Sequence, residues 1–243
     1  MAFSFQPKTV TDGLVLCLDA ANVKSYPGSG TTWTDLSSTA ITGSLTNGPT
    51  FSSVNNGVIR FDGTNDFVDL GTTSTLNFTG PFSVCFWGNL NVTGSSQYFV
   101  NRWTYGAGNF RQWSLDNLKG GIYPGPIENI FQFRMSSNGL DAGQVFITSS
   151  VNVSYSNNWV NVCGVWDGSF IYLYINGTSA NTRVSAPSMV STNGQKTFIG
   201  GGDTGTALPP TGSIAQVSIY NRALSATEVL QNYNALKGRF GLT

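Results

Sequence analysis

Carboxylate side chains are the first candidates for chemistry, because a pair of Asp or Glu residues can act as acid, base or nucleophile. The chain has two glutamates, Glu128 in a Pro-rich segment and Glu228 at the start of a helical pattern. Asp62, Asp66 and Asp69 lie close together, but Asp-Gly and Asn-Asp are ordinary turn dipeptides. No two carboxylates stand out within one strand, so we predict no catalytic residues and no enzymatic activity.

The absence of histidine narrows the chemistry further. With no histidine in the chain, a Ser or Cys nucleophile lacks its usual base and zinc lacks a leading ligand. Calcium is the remaining metal candidate, since Asp62, Asn65 and Asp66 offer side-chain oxygens. The same residues also form turns that are stabilised by their own hydrogen bonds. We favour the turn and expect no cofactor; if calcium is present as a structural ion, these three residues are its ligands.

Aromatic and polar residues in the Gly- and Pro-rich middle of the chain form a candidate ligand or partner surface, because variable loops often carry binding function. The candidate surface residues are Trp103, Tyr105, Asn109, Arg111, Trp113 and Tyr123. Loop packing is the alternative role for Trp103 and Tyr105. Trp87, Trp159 and Trp166 lie in strongly apolar strand patterns, and we expect them to pack.

Charge and hydropathy exclude two classes of partner. Charged residues are 10% of the chain and the net charge is zero, so nucleic-acid binding through phosphate contacts is not expected. No window reaches the roughly 18 apolar residues of a membrane span, and residues 1–13 lack the features of a signal peptide. We therefore expect that the protein is synthesised in a cytoplasm and does not insert into a membrane. The run FIGGGD, residues 198–203, leads into a Pro-containing loop and not a helix, which argues against a phosphate loop.

Short alternating segments separated by turn signals every 8 to 12 residues or so predict an all-β sandwich. The clearest pair is Asn158–Trp166 and Phe170–Ile175, two strands joined at Asp167-Gly168 in a hairpin. Trp33 and Leu36 are expected to anchor the segment 25–49 on the core. The residues predicted to face the core are Phe61, Val84, Phe86, Val162, Trp166, Leu173 and Ile219.

One helix is predicted near the end of the chain. Ser225-Ala226-Thr227-Glu228 is a capping box, an apolar stripe follows at helical spacing, and Gly238 is placed to end the helix. No composition break marks a domain boundary. We predict a single domain over residues 1–243, with an N-terminal arm of about residues 1–12 and a C-terminal helix and tail of about residues 225–243.

The three cysteines, Cys17, Cys85 and Cys163, each lie inside an apolar strand pattern. An odd and widely spaced set does not indicate a disulfide framework. We predict three buried free thiols, which is consistent with folding in a reducing cytoplasm.

Five segments in order carry a family resemblance: LVLCLDA, FDGTNDFVDL, PFSVCFWG, NWVNVCGVWDGSFIYLYINGT and GSIAQVSIYNRALSATEVLQNYNALK. Together they resemble the laminin-G-like, or concanavalin A-like lectin/glucanase, superfamily. The resemblance implies an all-β, two-sheet antiparallel jelly-roll sandwich with one short C-terminal helix. Glycoside hydrolases of this superfamily carry a strand with Glu-x-Asp-x-x-Glu, which this chain lacks.

The segments GLVLCLDAANVKSYPGSGTTWTDLSS and LKGRFGL are similar to those of single-domain structural proteins of tailed bacteriophages. This resemblance implies a non-enzymatic bacteriophage virion protein, either a capsid-decoration subunit or a head-fibre or tail accessory subunit. Its partners would be other virion proteins and further copies of itself, and its place would be the virion surface. The alternative is a carbohydrate-binding adhesin that recognises host surface glycans, and a third hypothesis is a glycoside hydrolase.

Overall fold

The fold is a sandwich of two antiparallel sheets with a helix on the outside of one sheet. The computed structural model describes residues 7–92, 96–104, 111–117, 130–149, 155–186, 188–189, 191–192, 194–202 and 207–243. Within these residues, one sheet has nine strands and the other has eight. The predicted two-sheet antiparallel fold with a short C-terminal helix is confirmed.

The bounds of the elements follow the predicted pattern of strands and turns. The strands are β1 (Leu14–Asp19), β2 (Thr32–Thr34), β3 (Thr42–Thr46), β4 (Thr50–Ser52), β5 (Val58–Asp62), β6 (Phe67–Asp69), β7 (Phe82–Leu90), β8 (Gln97–Trp103), β9 (Arg111–Asn117), β10 (Gln132–Ser136), β11 (Gln144–Thr148), β12 (Trp159–Trp166), β13 (Phe170–Ile175), β14 (Thr178–Ser179), β15 (Val184–Ser185), β16 (Phe198–Ile199) and β17 (Thr211–Tyr220). The helix is α1 (Ala226–Leu236), and 3₁₀ turns span Val54–Asn56, Ser74–Leu76, Asp141–Gly143 and Lys237–Phe240.

The first sheet is organised around β17. Its order is β14-β13-β12-β7-β17-β5-β4, with β1 also beside β17 and β15 beside β13. The first half of β17 pairs with β5 and the second half pairs with β1, so that Leu14 lies opposite Tyr220. An irregularity between Ile214 and Gln216 marks the change in register with β7. The second sheet has the order β11-β10-β9-β8-β16-β6-β3-β2.

The main core lies between the two sheets and contains all seven residues predicted to face it, which are Phe61, Val84, Phe86, Val162, Trp166, Leu173 and Ile219. Alternation of side chains along each strand turns these residues inward. Trp33 also lies in the core, as expected, but Leu36 is 37% exposed. Leu36 therefore does not anchor its segment.

The outer side of the first sheet is covered by the C-terminal segment. Phe240 stacks on Trp87 and on Trp159, with ring centroids 4.4 and 4.5 Å apart. The prediction that Gly238 ends the helix is wrong: α1 ends at Leu236 and a 3₁₀ turn continues to Phe240. This turn brings Phe240 onto the two indoles. Within the described residues, no helix combines the length and apolar character needed to cross a membrane.

The thiol prediction is wrong for two of the three cysteines. Cys85 and Cys163 form a disulfide, and Cys17 is the free cysteine of the described residues but is only partly buried. Cys85 in β7 lies directly opposite Cys163 in β12, with the Cα atoms 4.0 Å apart. The pairing depends on the register of two strands far apart in sequence, which spacing alone does not reveal. Cys85 and Cys163 therefore no longer support the prediction that the protein folds in a reducing cytoplasm.

Candidate functional site

The predicted surface residues do not form one exposed patch. Trp103 and Trp113 are fully buried, and Arg111 is largely buried at the start of β9. Trp113 faces the main core, whereas Trp103 lies on the opposite side of the second sheet. Tyr105, Asn109 and Tyr123 lie outside the described residues.

The side of the second sheet that faces away from the core carries a buried polar cluster. We call this side the polar face and define it by the residues Tyr98, Trp103, Ser114, Asp116, Gln132 and Arg134. They lie there because the intervening residues, among them Phe99, Leu115 and Phe133, face the core. A polar row on one side and an apolar row on the other is the pattern of alternating strands.

Arg134 is the centre of the polar face. Its Nε donates to Asp116 Oδ2 at 2.6 Å, and its Nη2 donates to the Tyr98 hydroxyl at 2.8 Å. The guanidinium also lies 4.0 Å from the centroid of the Trp103 ring, within cation–π range. Burial raises the pKa of Asp116, although the Arg134 charge offsets part of that effect. Arg134 therefore joins Asp116, Tyr98 and Trp103 into one buried cluster.

Among the described residues, the polar face lacks the pair of carboxylates that glycoside hydrolysis requires. The described strands of the second sheet carry two carboxylates, Asp69 in β6 and Asp116 in β9. Three strand spacings separate β6 from β9, or about 14 Å at 4.8 Å each. The two catalytic carboxyl groups of a glycosidase lie about 5 to 9.5 Å apart. Asp69 is also paired with Lys196 at 2.6 Å, as Asp116 is with Arg134.

The turn that offered calcium ligands is closed by its own hydrogen bonds. The backbone N–H of Asp62 donates to Asp66 Oδ2 at 3.0 Å, and the backbone N–H of Thr64 donates to Asp62 Oδ1 at 2.7 Å. The carbonyl oxygen of Asn65 accepts from Asn47. Arg60 lines the adjacent cavity of about 370 Å³ and adds a positive charge. Calcium takes six to eight oxygens, and no group of three or more His, Cys, Asp or Glu side chains suited to a metal exists in the described part of the chain. The two carboxylates thus each accept a backbone hydrogen bond within the turn, which supports the turn interpretation.

An open cavity of about 340 Å³ lies on the outer side of the first sheet, beside the start of α1. We call it the tyrosine cavity. Its lining includes Asp167, Tyr172 and Tyr174 on the hairpin side and Leu224, Ser225 and Ala226 on the helix side. The tyrosines face outward because Ile171, Leu173 and Ile175, which alternate with them in β13, belong to the main core.

The hairpin side of the tyrosine cavity is held by Asp167. Its Oδ1 accepts hydrogen bonds from the backbone N–H groups of Ser169 and Phe170 at 2.8 and 2.7 Å. Its Oδ2 accepts from the Tyr172 hydroxyl at 2.8 Å. The Tyr172 and Tyr174 rings are nearly parallel, 19° apart, with centroids separated by 6.4 Å. Tyr174 is buried at 7% exposure, so the half-buried Tyr172 ring and the Asp167 carboxylate are the groups of this side that reach the open space.

Asp167 is an ionised group at neutral pH. Burial acts to raise its pKa, but the hydrogen bonds from Phe170, Ser169 and Tyr172 and the charge of Arg183 outweigh burial and hold the pKa below its usual value. Arg183 lies over the Phe170 ring at 4.0 Å from its centroid. The carboxylate is therefore ionised at physiological pH, and Oδ2, which accepts one hydrogen bond from Tyr172, can accept a further one from a ligand.

The helix side of the tyrosine cavity is fixed by the predicted capping box, which is confirmed. Ser225 Oγ accepts from the backbone N–H of Glu228, and Glu228 Oε2 accepts from the backbone N–H of Ser225 at 2.8 Å. Arg222 donates to both Glu228 oxygens, at 2.7 and 3.0 Å. The pKa of Glu228 falls to about 2, chiefly through Arg222. Leu224 is tied to the sheet by Ser83 Oγ at 2.9 Å.

Sequence reasoning missed Tyr172 and Tyr174 as candidate site residues. Their signal is the pair Tyr-x-Tyr in a strand whose alternate residues are aliphatic, which turns both rings outward from the core. Nothing local reveals that the start of a helix some fifty residues later forms the opposite wall. That contact depends on the tertiary fold.

Comparisons with known proteins agree with this architecture. The family model of the concanavalin A-like lectin/glucanases superfamily, of laminin G type, matches residues 62–230. No curated protein matches the chain in sequence. Solved structures of the same fold include the binding domain of Paraclostridial Mosquitocidal Protein 1, with 18% identity, a TM-score of 0.68, and coverage of 92% of this chain and 52% of that one.

Two botulinum neurotoxin domains have similar scores. The serotype D ligand-binding domain in complex with N-acetylneuraminic acid has 13% identity and a TM-score of 0.68, with coverage of 92% of this chain and 51% of that one. The serotype DC binding domain in complex with rat synaptotagmin II has 13% identity and a TM-score of 0.68, with coverage of 94% and 52%. The chain spans about half the length of these structures, and at such identities the likeness shows the fold alone.

Proposed function

Because the chain belongs to the concanavalin A-like lectin/glucanases superfamily, we propose that it is a non-enzymatic recognition domain that binds carbohydrate, in the manner of an adhesin. The observation that carries this proposal is the tyrosine cavity. Sugar rings stack on aromatic faces and hydrogen-bond to carboxylates through their hydroxyl groups, and Tyr172 and Asp167 provide both kinds of contact. A volume of about 340 Å³ lies at the lower end of the range for small-ligand sites.

The chemistry of the polar face supports binding over catalysis. Both carboxylates in the described strands of the second sheet are engaged by cations, and they are too far apart to act together. Hydrolysis of a glycosidic bond needs one carboxyl group free to donate a proton and a second free to attack or to activate water. Neither Asp69 nor Asp116 is free in that sense.

The similar structures also support a recognition role. One of them holds N-acetylneuraminic acid, and another is a domain of botulinum neurotoxin type C, whose cell entry depends on interaction with two ganglioside molecules. A protein receptor is bound in the complex with rat synaptotagmin II. These proteins share the sandwich fold over about half of their length, and recognition of a cell-surface molecule is the role that we propose for this chain.

The test is a glycan array probed with the purified protein, alongside an assay for reducing ends released from glucans and galactans. We expect glycan binding without turnover. Tyr172→Ala should lower the signal at least tenfold, because stacking on an aromatic ring is lost. Arg60→Ala, which alters the separate cavity of about 370 Å³ beside Asp62 and Asp66, is the control and should bind glycans like the wild type. Melting temperatures of both variants verify that they are folded.

Two results would contradict the proposal. Release of reducing ends at a rate that depends on protein concentration would make the protein an enzyme. Absence of binding to every glycan by a folded wild-type protein would exclude carbohydrate recognition. Full glycan binding by Tyr172→Ala would be compatible with carbohydrate recognition but would show that the tyrosine cavity is not the binding site.

A place on a bacteriophage particle is the second proposal, and it rests on the flanking segments. The chain would be a capsid-decoration, head-fibre or tail accessory subunit, displayed on the virion surface after synthesis in the host cytoplasm. Both resembling segments are built into the domain: Arg239 Nη1 donates to Asp19 Oδ1 at 2.8 Å, and Arg239 Nη2 donates to the Gly57 carbonyl at 2.6 Å. They therefore belong to the fold that such particles would display.

The particle proposal has its own test. Purified protein is mixed with virions that lack it, and cryo-electron microscopy locates any added density. Density at symmetry-related positions supports a virion subunit, and its copy number gives the stoichiometry with other virion proteins or with further copies of this chain. Failure to bind such particles, while glycan binding persists, leaves the recognition domain without the virion assignment.

A further inference from the structure

The charges around the tyrosine cavity bear on the class of sugar that it accepts. Asp167 lines the cavity directly, and its carboxylate remains ionised for the reasons given above. The nearest positive groups are Arg183, Arg222 and the N-terminal end of α1. Each of these three must be considered, because a carboxylated sugar would need one of them as its partner.

None of the three positive groups is available without competition. Arg183 lies on the Phe170 ring, its Nη1 is 3.4 Å from the Tyr172 hydroxyl, and its charge acts on Asp167. Arg222 forms two hydrogen bonds with Glu228 and a further ion pair with Asp12 at 2.8 Å. The positive end of α1 already faces the Glu228 carboxylate of the capping box.

We infer that the tyrosine cavity accepts uncharged sugar rings and discriminates against carboxylated sugars such as sialic and uronic acids, and that Asp167 is the residue that imposes this specificity. The inference rests on the proposed function and deepens it by naming the ligand class. Arg183 and Arg222 are outnumbered by Asp12, Asp167 and Glu228, so these five side chains carry a net charge of minus one. Sugar hydroxyl groups donate well to a carboxylate, whereas a second carboxylate is repelled by it.

The test compares sugars that differ only in charge. Binding of methyl glucoside and methyl glucuronide, and of methyl galactoside and methyl galacturonide, is measured by saturation-transfer NMR and by competition with the best array ligand. The neutral member of a pair should bind roughly tenfold more tightly, the size expected for two like charges near a protein surface. The ratio should shrink as salt is raised from 20 to 500 mM, concentrations chosen to bracket strong and weak screening.

Asp167→Asn is the decisive variant. Its carboxamide oxygen can still accept the backbone hydrogen bonds from Ser169 and Phe170, so the hairpin turn is retained while the charge is removed. We expect the preference for neutral sugars to fall to about twofold or less and to lose its salt dependence. Asp62→Asn removes a carboxylate from the separate cavity of about 370 Å³. This variant should leave the tenfold preference for neutral sugars and its salt dependence unchanged.

The outcomes separate this inference from the proposed function. Binding of sialic or uronic acids by the wild type at least as tightly as neutral sugars overturns the inference and leaves carbohydrate recognition intact. A preference for neutral sugars that persists in Asp167→Asn removes Asp167 from the specificity. A wild-type protein that binds no sugar of either class overturns both.

Discussion

Replacement of Asp116 by Asn removes a negative partner of Arg134 from the polar face. The carboxylate and the guanidinium are 0% and 1% exposed, and Nε and Oδ2 are 2.6 Å apart. After the replacement, Arg134 keeps its hydrogen bond to Tyr98 and its position over Trp103. These contacts and the one with Gln144 Oε1 are uncharged, and arginine does not lose its proton in proteins.

The expected cost follows from the burial of the pair. Removal of one partner from a buried ion pair lowers the free energy of unfolding by about 3 to 5 kcal/mol. Arg134→Met is a different perturbation, because the remaining Asp116 can take up a proton. We expect Arg134→Met to cost about 2 kcal/mol at low pH, mainly for the cation–π contacts and hydrogen bonds that are lost.

The pH dependence of Arg134→Met has a defined sign. Burial raises the pKa of Asp116 in the folded protein, and loss of the guanidinium raises it further. The folded state then binds more protons than the unfolded state, so stability is full below about pH 4. It declines as the pH rises toward the folded-state pKa, with a slope of up to about 1.4 kcal/mol per pH unit.

Urea denaturation at pH 5 and pH 8, followed by tryptophan fluorescence, measures each single variant and the double variant. The double variant should be more stable than additivity predicts by at least about 2 kcal/mol, because neither charge is left alone. Additive costs, or an Asp116→Asn variant as stable as the wild type, would refute the view that the two groups form a buried ion pair. Equal stability of Arg134→Met at both pH values would contradict the protonation argument.

Three further predictions concern the helix, the disulfide and the metal. Ser225→Ala should lower stability by about 1 kcal/mol through loss of the N-cap acceptor, while Ser225→Thr should retain most of it; equal melting temperatures for all three proteins would exclude the cap. A Cys85→Ser, Cys163→Ser double variant should have a free energy of unfolding about 4.5 kcal/mol lower, by the chain-entropy relation for a separation of 78 residues. Denatured wild-type protein should release one thiol equivalent, from Cys17, before reduction and three after it. Release of three equivalents without reductant would exclude the disulfide. Added Ca²⁺ or a chelator should leave the melting temperature unchanged, because Asp66 already accepts a backbone hydrogen bond. A rise in melting temperature with Ca²⁺ that Asp66→Asn abolishes would instead support a calcium site at this turn.

Much of the fold could be predicted because strands and caps leave local signals. The alternation in Phe170–Ile175 and the capping box at Ser225 each depend on neighbouring residues, and both are observed. The end of the helix was less predictable. Gly238 suits a helix stop, but the stacking of Phe240 on a distant tryptophan decides where the chain turns. Local preference gave way to a tertiary contact.

The site was harder to predict because its parts meet only in the folded chain. Trp103 is an aromatic residue in a loop-rich region, yet Arg134 and the rest of the polar face bury it. The disulfide needs Cys85 and Cys163 to be opposite each other, which depends on the register of β7 and β12. Tyr172 meets the start of α1 only because the helix returns to the first sheet. Sequence patterns report what one strand contains and not which distant residue faces it.

The position of β17 has a consequence for synthesis of the protein on the ribosome. Of the described strands, β17 is the last in chain order, yet it lies between β7 and β5 and also pairs with β1. Until β17 leaves the ribosome, each of those strands has an edge without its final partner. Leu14, for example, is synthesised long before Tyr220, the residue opposite it. Contacts that span so much of the chain slow folding and prolong exposure of apolar strands to aggregation. The first sheet is therefore completed only after translation of β17, because β17 joins β1, β5 and β7.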